Sequence, residues 1–161
     1  SLFEGFGCGL VGGETGIMLQ NRGKLFSLDP AHPNCVAPHK RSAHTIMPAM
    51  VFKDNRPFMV FGVTGAHMQP QGQVQVLANI IDFGMTIQEA MEAARVNHLE
   101  GSEVALEEGI GAGVRRELRQ KGHKVLKEAN FGGAQGILIH PEYGTLMGGS
   151  DPRKDGCAMG F

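Results

Sequence analysis

Apolar and polar positions alternate along two neighbouring stretches of the chain, residues 46–53 and residues 58–63. A period of two is typical of strands that bury one face, and the turn-forming sequence DNRP between them predicts an antiparallel hairpin. A shorter hairpin is predicted for residues 8–11 and 17–20, which flank the sequence GGETG. Three prolines within residues 27–42 predict a long irregular loop between the two hairpins.

Helical patterns follow the second hairpin. Within residues 69–83 apolar side chains recur at spacings of three and four, and Gly84 is placed to close this helix in a left-handed conformation. Thr86 and Glu89 have the spacing of a capping box, which predicts a second helix running to about residue 94.

The last third of the chain mixes short strands with one more helix. The pattern predicts strands at residues 103–106, 124–127, 135–140 and 145–148, and a helix at residues 114–121 closed by Gly122. Strands thus come first, two helices next, and further strands with one helix last. This segregation favours the α+β class over the regular alternation of a doubly wound sheet.

Length and charge narrow the class of protein. The 161 residues, of which 42% are hydrophobic, suit one domain spanning residues 1–161. The 15 Lys and Arg residues nearly balance the 16 Asp and Glu residues, so neither nucleic acid nor an anionic membrane is an expected partner. The longest apolar stretches are too short and too rich in glycine to cross a bilayer, and Ser1 does not open a signal-peptide pattern.

Cysteine and histidine spacings bear on metal sites and on the compartment. The three cysteines, Cys8, Cys35 and Cys157, form no CxxC pair, which argues against a disulfide framework and a structural zinc site and favours a reducing, cytoplasmic location. The histidines in the first half of the chain show no HxxxH spacing. We therefore expect neither a metal nor a cofactor.

The segment FGVTGAHMQPQGQ, residues 61–73, joins an apolar strand to a helix through a turn that contains Gly65 and Ala66 and no charged side chain. A turn of this kind can leave successive backbone N–H groups uncommitted and directed at one point. A developing oxyanion requires such donors, so the turn is a candidate oxyanion hole, although an ordinary strand-to-helix turn has the same sequence character.

Together with NRGKLFSLDPAHPN (residues 21–34), HKRSAHTIMPAM (residues 39–50) and GGSDPRKDGCAMGF (residues 148–161), this segment resembles the γ-glutamyltranspeptidase family of N-terminal-nucleophile hydrolases. The resemblance covers essentially the whole chain. It implies part of a four-layer αββα sandwich with two antiparallel sheets. It also implies a partner, the large subunit cut from the same precursor, in a heterodimer that can pair into a dimer of heterodimers.

In this family the new N-terminal Thr of the small subunit attacks an amide with its hydroxyl, and its own α-amine serves as the base. The segment that carries this Thr lies just upstream of the motif that reads SLFEGFGCG here, so the resemblance describes the chain as a truncated small subunit. It places Ser1 as the hydroxyl residue that orients the nucleophile. Two other interpretations of Ser1 stay open: it is itself the nucleophile, or it is an exposed strand residue.

The resemblance also assigns the binding residues. Gly65 and Ala66 match the Gly-Gly pair of the family's oxyanion hole, and His44 and Thr45 match the serine pair that holds a substrate carboxylate. Arg22 is a second candidate for that carboxylate, with a solvated loop arginine as the alternative. Leu25 stands where better-known members have an acid for the substrate amine, a departure shared with the acylase-like branch.

Three functional interpretations remain from the sequence. The first is a hydrolase or transferase acting on γ-glutamyl amides such as glutathione, and the second is a cephalosporin or glutaryl-type acylase. The third is a homologue without activity that serves in structure or interaction. Asp151, Arg153 and Asp155 in the C-terminal motif are expected to form ion pairs or turn hydrogen bonds.

Overall fold

The structure is a computed structural model that describes residues 1–127 and 129–160. The chain divides into two compact units, residues 1–46 and the part that begins at Met47. One domain spanning residues 1–161 stays a prediction. Among the described residues no helix is both long and apolar enough to cross a membrane.

The first unit consists mainly of turns. The predicted hairpin around GGETG forms, but its arms meet at one isolated antiparallel bridge between Val11 and Met18 instead of two strands. Left-handed glycines interrupt the ladder; Gly7, with φ +68°, lies so close to Leu19 O that an added Cβ would clash with it. The prediction of two regular strands is therefore wrong, because left-handed glycines this close together form turns and leave only one bridge between the two arms.

The predicted irregular loop is confirmed. A short 3₁₀ helix, Arg22–Leu25, precedes it, and residues 27–42 contain no helix or strand beyond a bridge between Ser27 and Cys35. Ser27 donates its N–H to Asn34 O at 2.9 Å and accepts from Val36 N at 2.9 Å, which closes the loop on itself.

A four-stranded antiparallel sheet organises the second unit. Its strands are β1 (Ala49–Lys53), β2 (Arg56–Thr64), β6 (Gly133–Ile139) and β7 (Leu146–Ser150), in the spatial order β1-β2-β6-β7. The predicted hairpin is confirmed with a tighter turn, because Lys53 pairs with Arg56. Asp54 and Asn55 form that turn with φ +51° and +60°, the conformation that two-residue hairpin loops favour.

Two helices cover one face of this sheet. They are α1 (Met68–Ile81) and α2 (Ile87–Glu92), and the predicted capping box of Thr86 and Glu89 is present. The core between them and the sheet contains Met59, Phe61, Val63, Val76, Ile80, Ile87, Ala90, Met91, Ala134 and Leu138. On the other face, the cross-strand row of Met50, Val60 and Ile137 is 57%, 41% and 41% exposed.

A second sheet contains β3 (Val96–His98), β4 (Glu103–Leu106) and β5 (Lys124–Leu126), with α3 (Ala112–Gln120) between the last two. The pair β4–β5 is parallel, which departs from the expected all-antiparallel arrangement because α3 provides a crossover connection. Strand β3 was not predicted, since three residues are too few to show a period. The α+β class is confirmed.

Candidate active site

The turn between β2 and α1 has the backbone geometry of a donor site. Gly65 has φ +118°, Ala66 has φ +52° and His67 returns to φ −65°. The carbonyl groups are used to start the helix, because Gly65 O accepts Met68 N at 3.0 Å and Ala66 O accepts Gln69 N at 3.1 Å. The N–H groups of Gly65 and Ala66 take no part in these hydrogen bonds.

Within residues 1–127 and 129–160 neither of these two N–H groups has a recorded hydrogen-bond acceptor. Left-handed and right-handed residues in succession form a concave arrangement of N–H groups that suits an anion. The first turn of the 14-residue helix α1 adds the positive end of a helix dipole. The left-handed conformation costs Ala66 about 1 kcal/mol relative to glycine, which the surrounding structure must offset.

Close packing explains why Gly65 is glycine. An added Cβ would lie 2.8 Å from Gly132 Cα, so the turn and the segment Phe131-Gly132-Gly133 are in direct contact. Gly132 itself has φ +72°, and a Cβ there would meet Thr64 O. The glycines of this segment therefore allow two stretches of backbone to touch beside the candidate oxyanion hole, in addition to forming a turn.

In the first unit two predicted site residues, Ser1 and Thr45, both contact a third, Arg22. Its Nε donates to Thr45 Oγ1 at 2.8 Å, its Nη2 to Ser1 Oγ at 2.9 Å and its Nη1 to Ser1 O at 3.3 Å. The guanidinium also lies over the Phe3 ring, 5.6 Å from its centroid. Arg22 is 7% exposed, so the interpretation of a solvated loop arginine is wrong.

This arrangement makes Arg22 a support for two hydroxyl groups. Ser1 Oγ and Thr45 Oγ1 are held by one buried cation, and Ser1 Oγ additionally accepts Phe3 N at 3.2 Å. His44 is exposed, and its ring has no recorded hydrogen bond within the described part of the chain. The structure thus groups Ser1, Arg22 and Thr45, with His44 adjacent in sequence.

The loop around Leu25 offers no acid at the predicted amine position. Leu25 is exposed, and the neighbouring Lys24 pairs with Glu4 at 2.7 Å. This exposed pair has little energetic value but does engage the Glu4 carboxylate. Among the described residues no group of three or more His, Cys, Asp or Glu side chains could hold a metal ion.

The second unit contains a buried ionic cluster, of which the sequence indicated Asp151 and Arg153 but not Arg95 and Glu107. Arg95 contacts Asp151 at 2.7 Å, while Arg153 binds Asp151 at 2.9 Å and Glu107 through two hydrogen bonds of 2.6 Å. The ion pairs expected of Asp151 and Arg153 are present. Asp155 is exposed and takes part in none of the ion pairs recorded for the described residues.

Hydrogen bonds fix the charges in this cluster. Burial by itself would raise the pKa of Asp151, but donation from Ala134 N, Arg153 N and the Arg153 side chain, with the charge of Arg95, outweighs it and lowers that pKa. The pKa of Glu107 is lowered in the same way against burial, chiefly by Arg153 and by Arg95 N. Arg95 and Glu107 escaped the sequence analysis because they lie outside the C-terminal motif.

Comparisons with known proteins show the family to which the chain belongs. The family model for gamma-glutamyltranspeptidase matches residues 1–161. The glutathione hydrolase-like YwrD proenzyme of Bacillus subtilis is 39% identical over 173 residues, covering 100% of this chain and 32% of that protein. Cephalosporin acylase from Bacillus halodurans superposes with a TM-score of 0.87 at 43% identity, covering 96% of this chain and 30% of that chain.

A gamma-glutamyltranspeptidase from Pseudomonas nitroreducens, solved with L-DON, superposes with a TM-score of 0.83 at 26% identity, covering 100% of this chain and 90% of that chain. The chain therefore belongs to the gamma-glutamyltranspeptidase family, and the predicted N-terminal-nucleophile hydrolase fold is confirmed. It spans about a third of the length of the curated relatives it matches.

Proposed function

We propose that the complete protein hydrolyses γ-glutamyl amides, with glutathione as the default substrate, or transfers their acyl group to an amine. The observation that carries this proposal is the turn at Gly65 and Ala66 in a chain of this family, whose N–H groups have no acceptor among the described residues at the start of α1. The relatives named above include a glutathione hydrolase-like proenzyme and a gamma-glutamyltranspeptidase.

The nucleophile in this proposal is the N-terminal Thr of the mature small subunit, upstream of Ser1 in the precursor. Its hydroxyl oxygen attacks the amide carbon while its α-amine takes the hydroxyl proton. The carbonyl electron pair moves onto oxygen, where the N–H groups of Gly65 and Ala66 stabilise it. The C–N bond then breaks, the amine leaves with the proton, and water or another amine releases the acyl group from the ester.

The hydroxyl cluster gives Ser1 a supporting role in this scheme. Arg22 fixes Ser1 Oγ and Thr45 Oγ1 as donors or acceptors of defined position. Thr45, with His44 next to it, would hold the substrate carboxylate, and Arg22 would act by orienting Thr45 and by lending positive charge. The partner in this proposal is the large subunit. A sheet of that subunit would pack on the four-stranded sheet and cover the exposed row of Met50, Val60 and Ile137.

A second candidate is an acylase for glutaryl-type amides, and the loop around Leu25 favours it. An acyl group without an α-amine needs no acid there, and Leu25 supplies none. The likeness to a cephalosporin acylase at 43% identity supports the same candidate. A homologue without activity remains the third, and a cytoplasmic location and a dimer of heterodimers stay predictions.

The test uses the complete precursor after maturation. Release of the aniline from γ-glutamyl and glutaryl p-nitroanilides is measured beside a control in which the residue that opens the small subunit is Ala. We expect hydrolysis that this control abolishes, with γ-glutamyl the better substrate. Preference for the glutaryl anilide would support the acylase. If the wild-type protein hydrolyses neither anilide, only the homologue without activity remains.

A further inference from the structure

Strand β3 lies between two partners of different kinds. One edge pairs with β4, and the other is held by two side-chain amides of α1. Gln75 accepts Val96 N and donates to Val96 O, both at 2.8 Å. Gln71 does the same with His98, at 2.8 Å and 3.0 Å. Two glutamines one helical turn apart thus take the place of a strand partner. They bind β3 to α1, the helix that begins at the turn of Gly65 and Ala66 (the oxyanion turn).

The side chain of Asn97 continues this connection. Asn97 is buried, accepts Gln71 Nε2 at 3.1 Å and donates its Nδ2 to Asn130 O at 2.8 Å. Asn130 in turn accepts Gly132 N on its Oδ1 at 2.8 Å. Gly132 is the residue whose backbone touches Gly65.

The contacts therefore form a closed path. It starts at the turn, follows α1 to Gln71, crosses β3 through Asn97 to Asn130, and returns through Gly132 to Gly65. A turn with two consecutive left-handed residues, one of them Ala66, is a strained arrangement that persists only when its surroundings enforce it. Each link of the path is a hydrogen bond or direct backbone contact that restricts this turn.

We propose that Gln71, Asn97 and Asn130 are positioning residues that fix the N–H groups of the oxyanion turn. This rests on the proposed function for the anion that the turn receives. None of the three touches the reacting atoms in this scheme; they act through Gly132 and the start of α1. Because oxyanion stabilisation requires donors within a few tenths of an ångström of their place, loosening the path should lower kcat more than it raises KM.

The complete mature enzyme carries the test. Asn97→Ala and Asn130→Ala should each lower kcat about 10- to 100-fold while KM changes less than about threefold. Asn130→Ser should recover most of the loss, because a serine hydroxyl can accept the N–H two residues on. Gln75→Ala is the matched control: it removes two hydrogen bonds to Val96 and one to Gln71 O, but it leaves every side-chain contact of Asn97 and Asn130 in place. It should therefore lower stability and leave kcat within about threefold.

Amide hydrogen exchange provides a readout that does not need turnover. The N–H groups of Met68 and Gln69 close the turn, so Asn130→Ala should speed their exchange about tenfold or more, and Gln75→Ala should not. Unchanged exchange, equal loss of kcat in Gln75→Ala, or failure of Asn130→Ser to recover activity would overturn the positioning role. A wild-type protein without amide hydrolysis would refute the proposed function alone, and exchange would still decide the positioning role.

Discussion

Asp151→Asn changes one atom of a carboxylate that is 0% exposed and should destabilise the complete protein severely. Oδ2 of Asp151 accepts Ala134 N at 2.8 Å and Arg95 Nη2 at 2.7 Å, while Oδ1 accepts Arg153 N and Arg153 Nη1, both at 2.9 Å. Either orientation of an asparagine amide turns its NH₂ toward two donors, and Arg95 keeps a buried charge without its carboxylate.

The expected cost follows from these contacts. Breaking a buried ion pair by neutralising one partner costs about 3–5 kcal/mol, and loss of two hydrogen bonds to a charged group has a similar size. Denaturant unfolding of the mature protein measures it. Asp155→Asn is the control, because Asp155 is exposed and has no recorded ion pair within the described residues; it should change the free energy of unfolding by less than about 0.5 kcal/mol.

The pH dependence gives a second check of the same prediction. The folded-state pKa of Asp151 is lowered, so its contribution is fully present above the unfolded-state pKa of about 3.9 and is lost as the pH falls through the folded value. The difference between wild type and Asp151→Asn should therefore be constant near neutral pH and shrink below about pH 4. A cost under about 1 kcal/mol at pH 7 would refute the reasoning.

Three further predictions concern the chain, the turn and the loop. Residues 1–161 expressed alone should be aggregated or molten, because the row of Met50, Val60 and Ile137 is exposed; a cooperatively unfolding monomer would contradict this. Gly65→Pro should lower kcat by about 10²–10³ relative to the wild-type enzyme. Ala66→Gly keeps the N–H and relieves the left-handed strain, so it should leave kcat within about threefold. If Gly65→Pro and Ala66→Gly have equal kcat values, the oxyanion hole lies elsewhere. Since proline cannot adopt φ +118°, circular dichroism and subunit association must be unchanged for Gly65→Pro to count. Leu25→Asp should improve kcat/KM for γ-glutamyl anilide over glutaryl anilide by about 1–3 kcal/mol, and an unchanged ratio would show that another residue binds the amine.

Local chemistry made some elements predictable. The capping box of Thr86 and Glu89 and the left-handed Gly84 each depend on only a few neighbouring residues. Both are present where the sequence predicts them. The hairpin around GGETG shows the limit of such signals, because closely spaced left-handed glycines make turns without strands.

The sequence names residues for the candidate site but does not show their contacts. The resemblance singles out Ser1, Arg22 and Thr45, but the burial of Arg22 between two hydroxyl groups depends on residues more than twenty positions apart. Strand β3 was missed because three residues carry no period, and side-chain amides of α1 hold its outer edge. Such side-chain to backbone pairing leaves no pattern in sequence.

A crystal structure of the complete mature enzyme with a boronate analogue of its best substrate tests most directly whether Gly65 and Ala66 form an oxyanion hole. A tetrahedral adduct on the N-terminal residue of the small subunit is predicted to place one oxygen about 2.7–3.1 Å from the N atoms of both Gly65 and Ala66. An adduct whose oxygen is bound by other donors, with both N–H groups unused or turned away, would contradict the account.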